Sequence, residues 1–194
     1  MDETSTSLLD RLRDDSDQVA WQRLVDLYSP YIRGWLRRNG LVGQDADDQV
    51  QEVLLVVVRR LPEFRREPHA GAFRRWLRTI TVNCLRNFWR ARQARPTATG
   101  DSNFIGMLDN LADPESDLSQ QWDREHDQHV TKQLLELIKP SFEAATWTAF
   151  QRVAIDGAAP ADVAAELGIT VNAVFIAKSR VMSRLRQEGK DLLD

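Results

Sequence analysis

Apolar residues recur at helical spacing along most of the chain. Between Ala70 and Arg95, Phe73, Leu77, Ile80, Cys84 and Phe88 follow one another at intervals of 4, 3, 4 and 4, which is the buried stripe of one long helix. Arg75, Thr79, Asn83, Arg86 and Arg90 recur at 4, 4, 3 and 4 on another face, and this helix contains no acid. Upstream, Leu24, Leu27, Tyr28, Tyr31, Trp35 and Leu36 predict a helix that starts with Ser16 or Asp17 as N-cap and ends at Asn39-Gly40. Ser29-Pro30 inside it marks a kink or a break. Next, Val50, Val53, Leu54, Val57 and Leu61 give a core stripe over residues 44–61. A short strand at Val56-Val57-Val58 is the other reading of that run, but helical periodicity holds over the whole segment. An acidic stripe, Asp45, Asp48 and Glu52, continues on the same helix into Leu55 and Val56. A helix with a core face and a second acid-and-valine face calls for a second partner.

Residues 62–71 read as a loop, with Pro62 near its start and Pro68 near its end. Residues 97–119 read as a linker of little periodicity, in which Phe104, Ile105, Met107, Leu108 and Leu111 could dock locally. Helices are then predicted over 115–139, 142–155, 160–167 and 170–188. The last two fit a helix-turn-helix. Ala164 is small where two helices approach, Gly168 supplies the permissive turn, and Val174 faces back to Ala164. Thr170 is placed to cap the second helix, whose outward residues are Asn172, Phe175, Ile176, Lys178, Ser179, Arg180 and Arg184. An ordinary helical hairpin is the competing reading, and the cluster of cations favours DNA. Phe175 and Ile176 are unusual on such a face, where thymine methyls or a partner would meet them.

Charge sharpens the picture. The 194 residues carry a net charge of −3, which by itself argues against nucleic acid. The distribution argues the other way: residues 59–95 hold eleven Arg against Glu63 and Glu67, whereas 101–127 hold eight acids against Arg124. The Arg face, with Asn83 and Thr79 able to meet base edges, suits a polyanion. The lone Cys84 sits on the apolar stripe, so it reads as a buried hydrophobe and excludes a disulfide framework. No nucleotide-binding glycine motif, metalloprotease motif or nucleophile elbow occurs. His69, His126 and His129 are scattered, and the His126/His129 pair reads as solvated rather than as a zinc site. Asp45, Asp48 and Glu52 on one helix face do not enclose a cation. No catalytic residue, metal or cofactor is therefore expected. The acidic N-terminus is no signal peptide, and no apolar run nears the ~20 residues of a membrane span, so a cytoplasmic protein without membrane insertion is expected.

With these motifs in view, the chain resembles an extracytoplasmic-function (ECF) sigma factor of the sigma-70 family, a bacterial transcription initiation factor. DADDQVQEV (45–53) is similar to that family's region 2.2, GAFRRWLRTITVNCLRNFWRARQ (71–93) to regions 2.3 and 2.4, and the helix-turn-helix to region 4.2. The resemblance implies an all-α chain with region 2 over 16–95, an acidic flexible linker over 96–119 and region 4 over 120–190. It implies core RNA polymerase and promoter DNA as partners and allows an anti-sigma factor. Asp45, Asp48, Gln51, Glu52, Leu55 and Val56 would dock on the β′ clamp helices. Phe64, Arg65, Arg75, Thr79, Asn83, Arg86, Trp89 and Arg90 would engage the −10 element, with loop 62–72 beside an unstacked base. Thr170, Asn172, Phe175, Ile176, Lys178, Ser179, Arg180 and Arg184 would serve the −35 element, near the β flap. The linker's acids would thread the polymerase's nucleic-acid channels or form a plain solvated tether. Two departures stand out: Phe175 and Ala177 occupy positions where the family often has Arg, and Asn87 follows Arg86 where an acid is common. A stand-alone helix-turn-helix regulator is the alternative function, and it would have no use for the 45–56 face.

Overall fold

The computed structural model describes residues 8–12, 17–64, 71–93 and 102–193. Among them the regular structure is helical, with no strand. The helices are α1 (Leu8–Arg11), α2 (Gln18–Arg38), α3 (Gly43–Arg60), α4 (Ala72–Gln93), α5 (Ser102–Ala112), α6 (Asp117–Ile138), α7 (Ala144–Phe150), α8 (Pro160–Leu167) and α9 (Val171–Gly189). The chain divides into two compact units, one built on Leu8–Val130 and the other on Thr131–Lys190.

In the first unit, α2 starts where a cap allows it: the Asp17 carboxylate accepts from the Ala20 amide at 2.9 Å. The helix runs unbroken through Pro30, at the loss of one backbone bond. Helix α3 remains helical through Val56, Val57 and Val58, so the strand reading fails. Its buried stripe includes Val50, Val53, Leu54 and Val57, while Leu61 opens a 3-10 turn to Glu63. Helix α4 buries Phe73, Leu77, Ile80, Val82, Cys84 and Leu85. Phe88, expected on the same stripe, is half-buried, because the stripe runs off the core near the helix end.

Two expectations need correction. The stretch 96–119 is not a linker throughout, since 102–112 form α5, whose Phe104, Leu108 and Leu111 are buried. Their spacing of 4 and 3 is a helical stripe, short enough to be hidden among Gly, Asp and Asn. His126 and His129 are not a solvated pair either. His126 is fully buried, its Nδ1 donates to the Asp127 carboxylate at 3.0 Å, and its Nε2 accepts from the Tyr28 hydroxyl at 3.2 Å. His129 Nε2 donates to the Leu27 carbonyl at 2.7 Å. Beside them Trp122 packs edge-on against Trp35 and Tyr31, each with centroids 5.0 Å apart, and the Tyr31 hydroxyl donates to the Trp122 carbonyl at 2.9 Å.

In the second unit α7 continues as a π-helical turn, Gln151–Ile155. Its core gathers Ala149, Val163, Ala164, Val174 and Ala177, flanked by Val153, Ala158, Leu167 and Ile169. Ala164 and Val174 thus meet as their spacing predicted. Gly168 ends α8 at φ +65°, a left-handed conformation that disfavours any side chain, and the Ile169 amide closes the turn on the Ala164 carbonyl at 3.0 Å. The direction changes by 103° between α8 and α9, within the 90–120° of a helix-turn-helix.

Candidate nucleic-acid and polymerase interface

The outward face of α4 carries a groove of about 240 Å³ lined by Arg75, Arg78, Thr79, Val82, Asn83, Arg86, Ala112 and Pro114. Four residues expected to meet the −10 element, Arg75, Thr79, Asn83 and Arg86, therefore share one concave surface. Thr79 and Asn83 are exposed. The Thr79 hydroxyl donates to the Arg75 carbonyl at 3.0 Å, which leaves its lone pairs outward. Arg90 lies one turn beyond Arg86, exposed, and donates to the Asn87 side-chain oxygen at 3.3 Å.

Two aromatic candidates are placed differently. Phe64 is buried against Phe73 and Trp76, with ring centroids 5.7 and 4.9 Å away. It therefore supports the start of α4 from within the core. Phe64 thus lies against the core rings just after the 3-10 turn. Trp89 is half-buried, with Phe104 of α5 at 4.8 Å and the Arg92 guanidinium 5.6 Å above its ring. Arg65 and most of the loop around it lie outside the described residues.

Sequence reasoning missed how α4 is tied to α6. Arg78 is 4% exposed, and its Nη1 donates to Asp123 at 2.8 Å and to the Ser119 carbonyl at 3.2 Å. Arg74 Nη1 meets Asp127 at 2.6 Å, and its Nε lies 3.6 Å from Asp123. The signal was present: Arg74 and Arg78 are four apart, as are Asp123 and Asp127, so two helical ladders of opposite charge face each other. Burial pulls the His126 imidazole below the ordinary histidine value, against the Asp127 carboxylate that raises it. The imidazole is therefore neutral in the fold. Burial likewise pushes the Cys84 thiol up to about 11, so Cys84 is a core residue and no thiolate nucleophile.

On α3, Asp48, Gln51, Glu52 and Leu55 are exposed and Val56 is half-buried, so the acid-and-apolar face points outward. Asp45 is engaged: Arg92 at the end of α4 reaches it at 2.6 Å. Gln44 donates to Asp48 at 2.7 Å along the same exposed turn. Among the described residues no cluster of potential metal ligands forms.

On α9 the Thr170 hydroxyl caps the helix by accepting from the Ala173 amide at 3.1 Å. Asn172, Phe175, Ile176, Lys178, Ser179, Arg180 and Arg184 are all exposed, with Arg184 paired to Glu188 at 2.8 Å. Ala177 is buried in the helix-turn-helix core, so its lack of an Arg removes no groove contact. Phe175, at 52% exposure, is a true apolar departure on the outward face. No single helix among the described residues is long and apolar enough to cross a membrane.

The structure thus combines a helical unit that has a basic outward face on α4 with a separate helix-turn-helix unit. Residues 24–95 match the family model of sigma-70 region 2, which covers less than half of the chain. The chain is also 27% identical over 77 residues to the ECF RNA polymerase sigma factor RpoE of Cereibacter sphaeroides, a match over 40% of this chain and 41% of that protein. Together they support the ECF sigma factor resemblance carried by residues 45–53 and 71–93. The chain spans about two fifths of the relative's length.

Proposed function

We propose that the protein is a sigma factor that binds core RNA polymerase and directs promoter-specific initiation. It acts as a binding subunit and performs no chemistry of its own. The observation that carries this reading is the groove on α4, where Arg75, Thr79, Asn83 and Arg86 converge within the segment that matches sigma-70 region 2. Cations there hold the phosphate backbone, and Asn83 meets a base edge of the −10 element. Unstacking a base costs a few kcal/mol, and the arginines that bind the displaced strand offset it. The exposed acids and Leu55 of α3 form the docking face for the β′ clamp helices. Helix α9 lies in the major groove of the −35 element, with Lys178 and Arg180 on phosphates and Asn172 and Ser179 toward bases. An anti-sigma factor is a further partner of the proposal.

In-vitro transcription with core polymerase on a random promoter library tests the whole reading. Initiation confined to promoters sharing two spaced motifs is expected. Asp48→Arg and Glu52→Arg should abolish binding to core polymerase while the circular dichroism spectrum stays unchanged, since both side chains are exposed and make no core contact. Undiminished binding by both variants refutes the docking face. Tight duplex binding without polymerase, together with no stimulation of initiation, would instead establish a stand-alone regulator.

A further inference from the structure

Helix α5 lies on the same α4 face that the proposed −10 contact uses, and it brings an acid with it. Asp109 accepts from Arg86 Nη2 at 2.7 Å, the position a DNA phosphate would take. Phe104 packs at a tilt against Trp89, with ring centroids 4.8 Å apart, and so covers the ring on which a base would stack. Ala112 and Pro114, at the end of α5 and just after it, close one side of the groove that holds Asn83. One short segment thus covers Arg86 and Trp89 and narrows access to Asn83 with groups of the same kind as the ligand: a carboxylate for a phosphate, a ring for a base.

We propose that residues 102–114 are an autoinhibitory strap, a nucleic-acid mimic that holds the −10 surface closed and lifts from it when DNA binds. The inference rests on the region 2 reading of α4. Several features suit a strap that leaves. The Arg86–Asp109 pair is exposed, with Asp109 at 63%, and such pairs contribute little stability. The Trp89 indole Nε1 is buried without an acceptor among the described residues, so the closed contact is imperfect. An eleven-residue helix is marginal by itself and melts once it loses its support. Helix α6 differs: its Asp123 and Asp127 grip Arg74 and the buried Arg78, and His126 anchors it within the core. The strap therefore lifts while α6 stays.

The test uses the full chain and a labelled pool of random-sequence single-stranded 20-mers. Phe104→Ala removes the ring that covers Trp89 without changing net charge. It should bind the pool about 3–10-fold more tightly than the native chain, because a larger fraction is open. Arg90→Glu should weaken binding in both backgrounds. In the native chain, hydrogen exchange should show amides of 104–112 losing protection when the pool is bound, while those of 120–130 keep theirs. A folded Phe104→Ala variant that binds no more tightly, with binding still sensitive to Arg90→Glu, overturns the strap alone. Binding insensitive to Arg90→Glu in both backgrounds overturns the −10 surface and the strap with it. If Phe104→Ala does not fold, the exchange experiment decides: undiminished protection of 104–112 in the DNA-bound native chain overturns the proposal.

Discussion

In the proposed function, Asn83 is the residue on which sequence preference turns. Its neighbours on the α4 face are mainly arginines, which hold phosphates of any sequence, whereas an exposed amide can donate and accept at a single base edge. Asn83→Ala should cost about 1–3 kcal/mol at one promoter position and little elsewhere, as read by transcription from single-base promoter variants. An equal loss on every promoter would mean that Asn83 contributes only to grip. Inside the same unit His126 makes a different kind of prediction. Its imidazole faces Tyr28 and Asp127 directly, with Arg74 and Asp123 close enough to act on its charge, and burial holds its pKa below the unfolded value. The unfolded chain then binds the proton more readily than the fold does. Its stabilising contribution is complete above about pH 6.5 and is lost as the pH falls toward the lowered native value. The melting temperature should accordingly drop between pH 7.5 and 5.5, and His126→Phe should flatten that drop even though it lowers stability at neutral pH. An identical slope in the variant would assign the acid sensitivity to other groups.

Among the helices, those with long and regular stripes were legible from spacing alone. Helix α4 shows both its core stripe and its Arg/Thr/Asn face in the bare sequence, and two of the three arginines that line the groove, Arg75 and Arg86, lie on that face, the third being the buried Arg78. Helices α8 and α9 likewise follow from Ala164, Gly168, Thr170 and Val174, each of which has one narrow job in the motif. Helix α5 was illegible for a physical reason: its buried stripe is only Phe104, Leu108 and Leu111, set among the turn formers Ser102, Asn103, Gly106, Asp109 and Asn110. Local propensity argued for a linker, and tertiary packing overrode it. The acid block at 101–127 was visible, but its destination was not, because pairing between Asp123, Asp127 and Arg74, Arg78 spans more than forty residues. The burial of Phe64 was illegible for a similar reason. An aromatic next to a basic loop suits a base, yet two core rings claim it first. Whether α5 is a permanent layer of the domain or a departing strap is decided by binding and exchange at Phe104 and its helix.

At the scale of the whole chain, the net charge of −3 conceals segregated acidic and basic surfaces. Core polymerase binding in the proposed function uses the acidic α3 face, and promoter binding uses the basic α4 face and α9. Segregated charge lets one small protein do both, since like-signed residues are concentrated where each partner arrives. The two compact units also divide the labour of folding, because the residues buried around Val174 all come from α7, α8, α9 and the turns between them. Val174→Asp puts an unpaired carboxylate into that small core, a change of the kind that costs more than ~4 kcal/mol and unfolds a marginal unit. The first unit's aromatic core of Tyr28, Trp35, Phe73 and Trp122 is built within Leu8–Val130. The variant should therefore keep its affinity for core polymerase, as measured by co-elution, and keep the Asn83-dependent preference on −10 single strands. It should lose initiation at promoters that require the −35 element. Loss of polymerase binding as well would show that docking needs the helix-turn-helix unit, and that α3 provides only part of the contact.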